Sequence, residues 1–158
     1  MSAVHLEESK TVDVPMDEAF DQVLPMPLEK LFVRRYGPIP AIGRTQQEGT
    51  WGTVGQTRVI EFSGPGQVRE RLTVVERPDR FGYTLSDVTG PLKLLATRVD
   101  GMWSFAPDGV GSRITWSWEL HPTAVGRWVM PVFARIWRGY AERSLAHLET
   151  LLTSPRRS

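Results

Sequence analysis

The chain has 158 residues, 41% hydrophobic and 23% charged, with a formal charge of +1; this fits one soluble globular domain over residues 1–158 and offers no basic stripe for nucleic acid. Cysteine is absent, which excludes disulfides, thiolate nucleophiles and thiolate metal sites. His5, His121 and His147 stand outside any HExxH or HxH spacing, so neither a metal nor a cofactor is expected.

Residues 1–4 are expected to fray. Leu6 to Val14 reads as an edge or half-exposed strand, with Leu6, Val12 and Val14 in phase and Glu8 and Lys10 breaking the apolar alternation. Pro15 suits a first helical turn, and Asp17 and Glu18 complement the positive end of a helix dipole. They predict a helix Met16–Leu24 that buries Ala19, Phe20, Val23 and Leu24 and stops at Pro25 and Pro27. Leu28–Tyr36 reads as a second short helix, closed by Gly37-Pro38-Ile39-Pro40.

From Gly43 the texture turns to strands. Trp51–Phe62 carries Val54, Gln56, Arg58, Ile60 and Phe62 in alternation. Ser63-Gly64-Pro65-Gly66 is a turn, and Gln67–Arg77 returns with Val68, Glu70, Leu72 and Val74 in phase. Pairing about that turn sets Arg58 near Glu70 on an otherwise apolar face. Pro78-Asp79 turns again, and Phe81, Tyr83 and Leu85 alternate. Asp87–Leu95 is a longer loop or irregular strand interrupted by Gly90-Pro91. Ala96–Phe105 and Arg113–His121 form a hairpin around Pro107–Gly111, with Trp103, Trp116 and Trp118 on its inward face.

The last segment repeats apolar residues at three- and four-residue steps: Met130, Phe133, Ala134, Trp137, Tyr140, Ala141, Leu145, Leu148, Leu151 and Leu152. This predicts a helix from Met130 to Leu152, with Pro131 in its first turn. A start nearer Arg127 would put Pro131 inside the helix and kink it. Gly139 is a weak point of about 1 kcal/mol relative to Ala, explicable if a neighbour approaches closely. Residues 153–158 read as a loose tail. The order of one strand, two short helices, meandering antiparallel strands and a long helix is α+β, with one face of the sheet covered. A long helix across a curved sheet leaves a space where a ligand would sit.

Taken in order, several short motifs resemble those of the START/SRPBCC superfamily, whose helix-grip fold is that of the major birch-pollen allergen. They are Val12-Asp13-Val14-Pro15 with Asp17-Glu18-Ala19-Phe20; Gly52-Thr53-Val54-Gly55-Gln56-Thr57-Arg58; Val68-Arg69-Glu70; Phe81-Gly82-Tyr83; Gly101-Met102-Trp103-Ser104-Phe105; and Gly111-Ser112-Arg113-Ile114-Thr115-Trp116. Within the superfamily, the chain is similar to the bacterial polyketide cyclase/dehydrase and lipid-transport group over about residues 6–152. Phe20 stands where relatives often carry Trp. The resemblance implies a curved sheet of six to seven strands wrapped around the C-terminal helix, with a hydrophobic cavity between. It carries over no catalytic residue.

Six tryptophans are present, five of them between Trp103 and Trp137. Trp103, Trp116, Trp118 and Trp137 either line a cavity for a ringed or acyl ligand or fill the core, where their indole N–H groups need partners. Arg58 and Glu70 read as a buried strand-to-strand ion pair or as a polar anchor for a ligand carbonyl or carboxylate, and they are the weak candidates for acid/base work. Tyr83 and Tyr140 are either satisfied core residues or donors to a ligand carbonyl. The candidate ligand-binding set is Arg58, Ile60, Phe62, Glu70, Tyr83, Trp103, Trp116, Trp118, Phe133, Trp137 and Tyr140. His121 and His147 read as solvent-facing. Three functions compete: binding or transport of a small hydrophobic molecule, a lipid or polyketide-like compound; a polyketide cyclase or dehydratase in the same cavity; and an interaction module with a filled core. No signal-peptide core and no span of 18 apolar residues is visible, so a cytoplasmic address without a membrane span is expected, with a homodimer left open.

Overall fold

The computed structural model describes residues 3–154. Its elements in chain order are β1 (Val4–Val12), α1 (Met16–Val23), α2 (Leu28–Leu31), β2 (Ile42–Gln46), β3 (Thr57–Phe62), β4 (Gln67–Glu76), β5 (Arg80–Ser86), a short 3-10 turn at Pro91–Leu94, β6 (Ala96–Asp108), β7 (Gly111–Pro122) and α3 (Ala124–Thr153). Tight turns join β3 to β4, β4 to β5 and β6 to β7, and a longer loop over residues 87–95 joins β5 to β6; each of these strands pairs antiparallel with the next. β1 adds to β7 at one edge and β2 to β3 at the other, giving one curved sheet in the order β1-β7-β6-β5-β4-β3-β2. Alternation fixes which face is buried: Ile114, Trp116, Trp118 and Leu120 of β7 point inward, while Arg113 and Glu119 do not.

Several sequence-based boundaries move: β1 ends at Val12 rather than Val14, the β6–β7 loop shrinks from Pro107–Gly111 to Gly109 and Val110, and four further shifts follow from local contacts. The strand expected from Trp51 begins at Thr57. Residues 50–53 instead fold around the Gln56 side chain, whose carbonyl accepts from the Gly52 and Thr53 amides at 2.8 and 2.6 Å while its NH2 donates to the Thr50 carbonyl at 3.1 Å. The second short helix ends at Leu31. After it Phe32 leaves helical geometry, its carbonyl accepts from the Ile42 amide at 3.1 Å, and Tyr36 and Ile39 exchange backbone hydrogen bonds across Gly37-Pro38. Val4, expected to fray, pairs with Leu120. Thr153, expected in a loose tail, closes the last turn of α3, and residues 155–158 of that tail lie outside the described range.

The long helix also starts earlier than its apolar repeat suggests. Thr123 caps it, its hydroxyl oxygen accepting from the Gly126 amide at 2.8 Å. α3 therefore has 30 residues, about 45 Å at 1.5 Å per residue. Pro131 lies in its interior with the ring facing solvent, so the Arg127 carbonyl lacks its usual partner four residues on. The two halves of α3 have different surroundings. Ala141, Leu145, Leu148 and Leu152 are buried in the core, and the helix packs chiefly on β1 and β7. The first half reaches over the middle of the sheet without closing on it. Gly139 does allow a close approach: a Cβ there would collide with the Tyr36 phenol.

Candidate functional site

Strand register assembles the site in rows across the inner face. One row runs Arg58, Glu70, Leu85, Val99 and Leu120, and the next Leu72, Tyr83, Gly101, Trp118 and Leu6. A third runs Val75, Phe81, Trp103 and Trp116. Over these rows lie the first half of α3, contributing Phe133, Ile136 and Tyr140, and the α1–α2 segment, contributing Leu24, Leu31 and Phe32. Between them is a pocket of about 420 Å³, within the roughly 300–1,000 Å³ usual for small-molecule sites.

The pocket wall is apolar apart from one buried polar pole and, at its exposed edge, Arg35 and Ser63. At the pole Arg58 and Glu70 are 5% and 3% exposed. Arg58 Nε and Nη2 both reach Glu70 Oε2, at 2.9 and 2.7 Å. Arg58 Nη1 donates to Gln47 Oε1 at 3.1 Å, and the guanidinium lies 4.0 Å from the centre of the Trp51 ring. Glu70 Oε1 receives no hydrogen bond among the described residues. Burial raises the Glu70 carboxyl above its usual range, and the adjacent Arg58 charge and hydrogen bonds only partly offset it.

Beside this pair, the Tyr83 phenol oxygen accepts hydrogen bonds from Trp116 Nε1 at 2.9 Å and Trp118 Nε1 at 3.0 Å. Both lone pairs are thus used, and only the O–H proton remains to be offered. No described residue accepts it. Burial, then the negative charge of Glu70, pushes the Tyr83 pKa far above the ordinary phenol value, so the proton stays in place at neutral pH. Tyr140, raised by burial and then by Tyr83, also faces the pocket, with no hydrogen-bond partner for its hydroxyl among the described residues. Gly101 makes the Tyr83 position available, since a Cβ there would overlap the phenol ring and its oxygen.

Ten of the eleven sequence-derived candidates border this pocket: Arg58, Ile60, Phe62, Glu70, Tyr83, Trp103, Trp116, Trp118, Phe133 and Tyr140. Trp137 does not. Fully buried, it packs against Trp116 and Trp118 at ring-centroid distances of 5.1 and 5.8 Å, and its indole N–H has no partner among the described residues. Trp103 and Trp116 stack at 5.2 Å with 12° between their planes, so the aromatic cluster is packed core on one side and pocket wall on the other. Sequence reading missed Trp51, Gln47 and Phe32. Trp51 lies between Gly49 and Gly52 and out of strand phase, so alternation gave it no face. Phe32 lies inside the expected Leu28–Tyr36 helix, where apolar spacing gives it no special role, and in the structure it follows the end of α2 and stacks on Tyr140 at 5.7 Å. His121 faces outward as expected but is partnered, its Nε2 lying 3.0 Å from Asp100 Oδ2 in a cluster with Arg98 and Thr84 on the outer face of the sheet. His147, also read as solvent-facing, is half-buried with its Nε2 3.1 Å from the Lys30 carbonyl.

A curved seven-stranded sheet holding a long C-terminal helix, with two short helices after the first strand, is the helix-grip architecture. Solved structures share it at low identity. Ara h 8.0201 superposes with a TM-score of 0.70 at 18% identity over 97% of this chain and 99% of its own. The major latex-like protein 151 of Panax ginseng gives 0.68 at 11%, covering 97% and 99%. DynU16, from the dynemicin biosynthetic locus, gives 0.63 at 16%, covering 95% of this chain but 47% of its own. No curated protein sequence matches the chain. The family described as polyketide cyclase/dehydrase and lipid transport matches residues 3–153, and the chain belongs to that family.

Proposed function

We propose that the protein binds a small hydrophobic molecule, a lipid or polyketide-like compound, in the pocket between α3 and the sheet. The observation that carries this reading is an unfilled volume of about 420 Å³ walled by aromatic and aliphatic side chains with polar groups gathered at one end. Burying apolar ligand surface there gains roughly 25 cal/mol per Å², and the polar end orients the ligand. A filled-core interaction module is disfavoured because the tryptophans stack along one wall and leave the volume open. Native mass spectrometry of freshly purified protein and a thermal-shift screen of fatty acids and aromatic polyketides test the proposal. A co-purifying mass, or a shift that saturates with an apolar ligand, is expected. Neither, together with a crystal structure lacking the void, would refute it.

The polar end favours a second reading, catalysis of the cyclase/dehydratase type on a confined carbonyl-bearing chain. Tyr83 has a free O–H to donate to a carbonyl oxygen, and Glu70 is a carboxylate whose proton affinity burial has raised. Confinement would supply much of the rate by holding the reacting atoms together. Once a substrate is in hand, Glu70→Gln separates the readings: unchanged turnover removes Glu70 from acid/base work, and loss of turnover with retained binding assigns it there.

A further inference from the structure

The pocket has a mouth, and its rim is unlike the rest of the surface. Pocket-bordering residues that are also exposed mark it: Arg35 and Pro38, Ser63 to Pro65, Pro91, and Val129 and Val132 of α3. Beside them α3 carries Trp128 at 88% exposure, with Val125 exposed one turn before it and Leu94 exposed on the facing 3-10 turn. Positions 125, 128, 129 and 132 recur at helical spacing, so these side chains form one apolar stripe. Further along the helix the equivalent face is covered, where Gly37 approaches Ile136 and Tyr36 approaches Gly139. At the mouth it is bare.

Charge is distributed just as unevenly. The four rim segments, 33–41, 62–67, 88–95 and 124–141, contain Arg34, Arg35, Lys93, Arg127, Arg135 and Arg138 and not one Asp or Glu. The whole chain has 19 basic and 18 acidic residues, so the remainder is net acidic; the acids adjoining these segments are Glu61, Asp87 and Glu142, of which Glu61 and Asp87 pair with Arg44 and Arg69. None of these six cations forms an ion pair among the described residues, as is also true of Lys30, Arg71, Arg113 and Arg143, whereas Arg44, Arg69, Arg77, Arg80 and Arg98 all do.

We infer that this rim is a docking surface for an anionic lipid bilayer, with Trp128 and its apolar neighbours entering the interfacial layer and the cations meeting headgroups. An apolar anchor combined with a basic patch is the two-part signal that holds a peripheral protein on a charged membrane, and an indole suits the boundary between headgroup and acyl chain. A protein partner fits less well. The stripe from Val125 to Val132 spans about 10 Å of helix, a few side chains, against roughly 800 Å² per partner in a stable protein interface. The unpaired cations come from three separate segments, which suits a surface of uniform negative charge. Docked this way, the mouth faces a reservoir of water-insoluble molecules. This last point rests on the pocket being a ligand site; the docking itself does not.

The test is co-sedimentation with vesicles of phosphatidylcholine alone and of phosphatidylcholine with about 30% phosphatidylglycerol, the anionic fraction that makes headgroup charge the variable. Binding is expected to the anionic vesicles only and to weaken as salt rises from about 0.05 to 0.5 M. Trp128→Ala, and separately Arg127→Gln with Arg135→Gln, should each lower vesicle affinity on the order of tenfold. Arg71→Gln, an exposed change on the outer face of the sheet, should leave it unchanged. All these side chains are exposed, so circular dichroism and thermal unfolding should match the wild type. Equal binding to both vesicles, unaltered binding by Trp128→Ala, or Trp128-dependent self-association in sedimentation velocity would overturn the proposal, the last by assigning the stripe to a second copy of the chain. Thermal shifts with soluble apolar ligands read the pocket independently. Vesicle binding without any ligand shift would count against the pocket and leave the docking standing.

Discussion

Replacing Arg58 with Met isolates the energetics of the polar end. Methionine keeps much of the side-chain volume and removes the charge, so Glu70, 3% exposed in the wild type, loses the hydrogen bond from Nε and the ion-pair contact with Nη2. Breaking a buried pair from one side costs about 3–5 kcal/mol because the remaining charge is uncompensated. At about 2–4 °C per kcal/mol for a domain of this size, the melting temperature should fall by roughly 10 °C. The pH dependence gives the sharper signature. In the wild type burial already raises the Glu70 pKa, while Arg58 opposes the rise. A carboxyl whose pKa is higher folded than unfolded contributes stability that is fully present below its unfolded value, near 4.5, and is lost as pH rises through the folded one. Without Arg58 only the raising effect remains, so that window widens upward. Urea unfolding followed by tryptophan fluorescence from pH 5 to 8 should therefore show the variant losing stability steadily toward alkaline pH, with its deficit smallest at pH 5. A loss under about 1 kcal/mol with the wild-type pH profile would refute the claim that the pair is desolvated.

Two further substitutions test the tyrosine. Gly101→Ala forces a methyl group into the Tyr83 ring and should destabilise by about 1–3 kcal/mol through overpacking, read as a lower urea midpoint at unchanged slope. Tyr83→Phe leaves the Trp116 and Trp118 indole N–H groups without their acceptor, at about 1–3 kcal/mol for each group that finds no water; denaturation together with near-ultraviolet dichroism of the tryptophans checks it, and an unchanged midpoint would show that water replaces the phenol.

Much of this fold was legible because it is written in period two and period 3.6. The alternation that put Arg58 and Glu70 on one inward face also set their register, since a one-residue slip would have sent both to solvent. The boundaries that moved did so where a single side chain outweighs a pattern. Gln56 folds the Trp51 loop onto itself, and Thr123 starts α3 before its apolar repeat begins. The Thr123 signal was available, since a threonine three residues before a free amide can cap a helix, but an apolar count that starts at Met130 passes over it. The rim was illegible for a different reason. Val125, Trp128, Val129 and Val132 have helical spacing, and spacing alone cannot separate a stripe that meets the core from one that meets solvent. Trp51 on Arg58 depends on a loop closure that no local periodicity encodes.

The proposed ligand gives the polar end a reason to persist that stability alone does not. Buried ion pairs exchanged for apolar residues of similar volume are often neutral or stabilising by about 1–4 kcal/mol, because desolvation offsets the Coulomb attraction. An apolar pocket with Met at 58 and Leu at 70 would satisfy the fold equally well: Leu85, Val99 and Leu120 already continue that row across the sheet. The double variant Arg58→Met with Glu70→Leu should thus be at least as stable as the wild type in urea, although Arg58→Met alone should be strongly destabilised. Its ligand preference should change. A hydrocarbon ligand without a headgroup should bind as well or better, while a ligand bearing a carbonyl or carboxylate should lose on the order of tenfold or more, the worth of one charge-assisted hydrogen bond at about 1.5–3 kcal/mol. Competition between the two ligand types for wild type and double variant, measured by displacement of one fluorescent apolar probe, gives the comparison directly. Equal losses for both would mean that Arg58 and Glu70 only shape the pocket, and a double variant as unstable as Arg58→Met would mean that the pair holds the strands together after all.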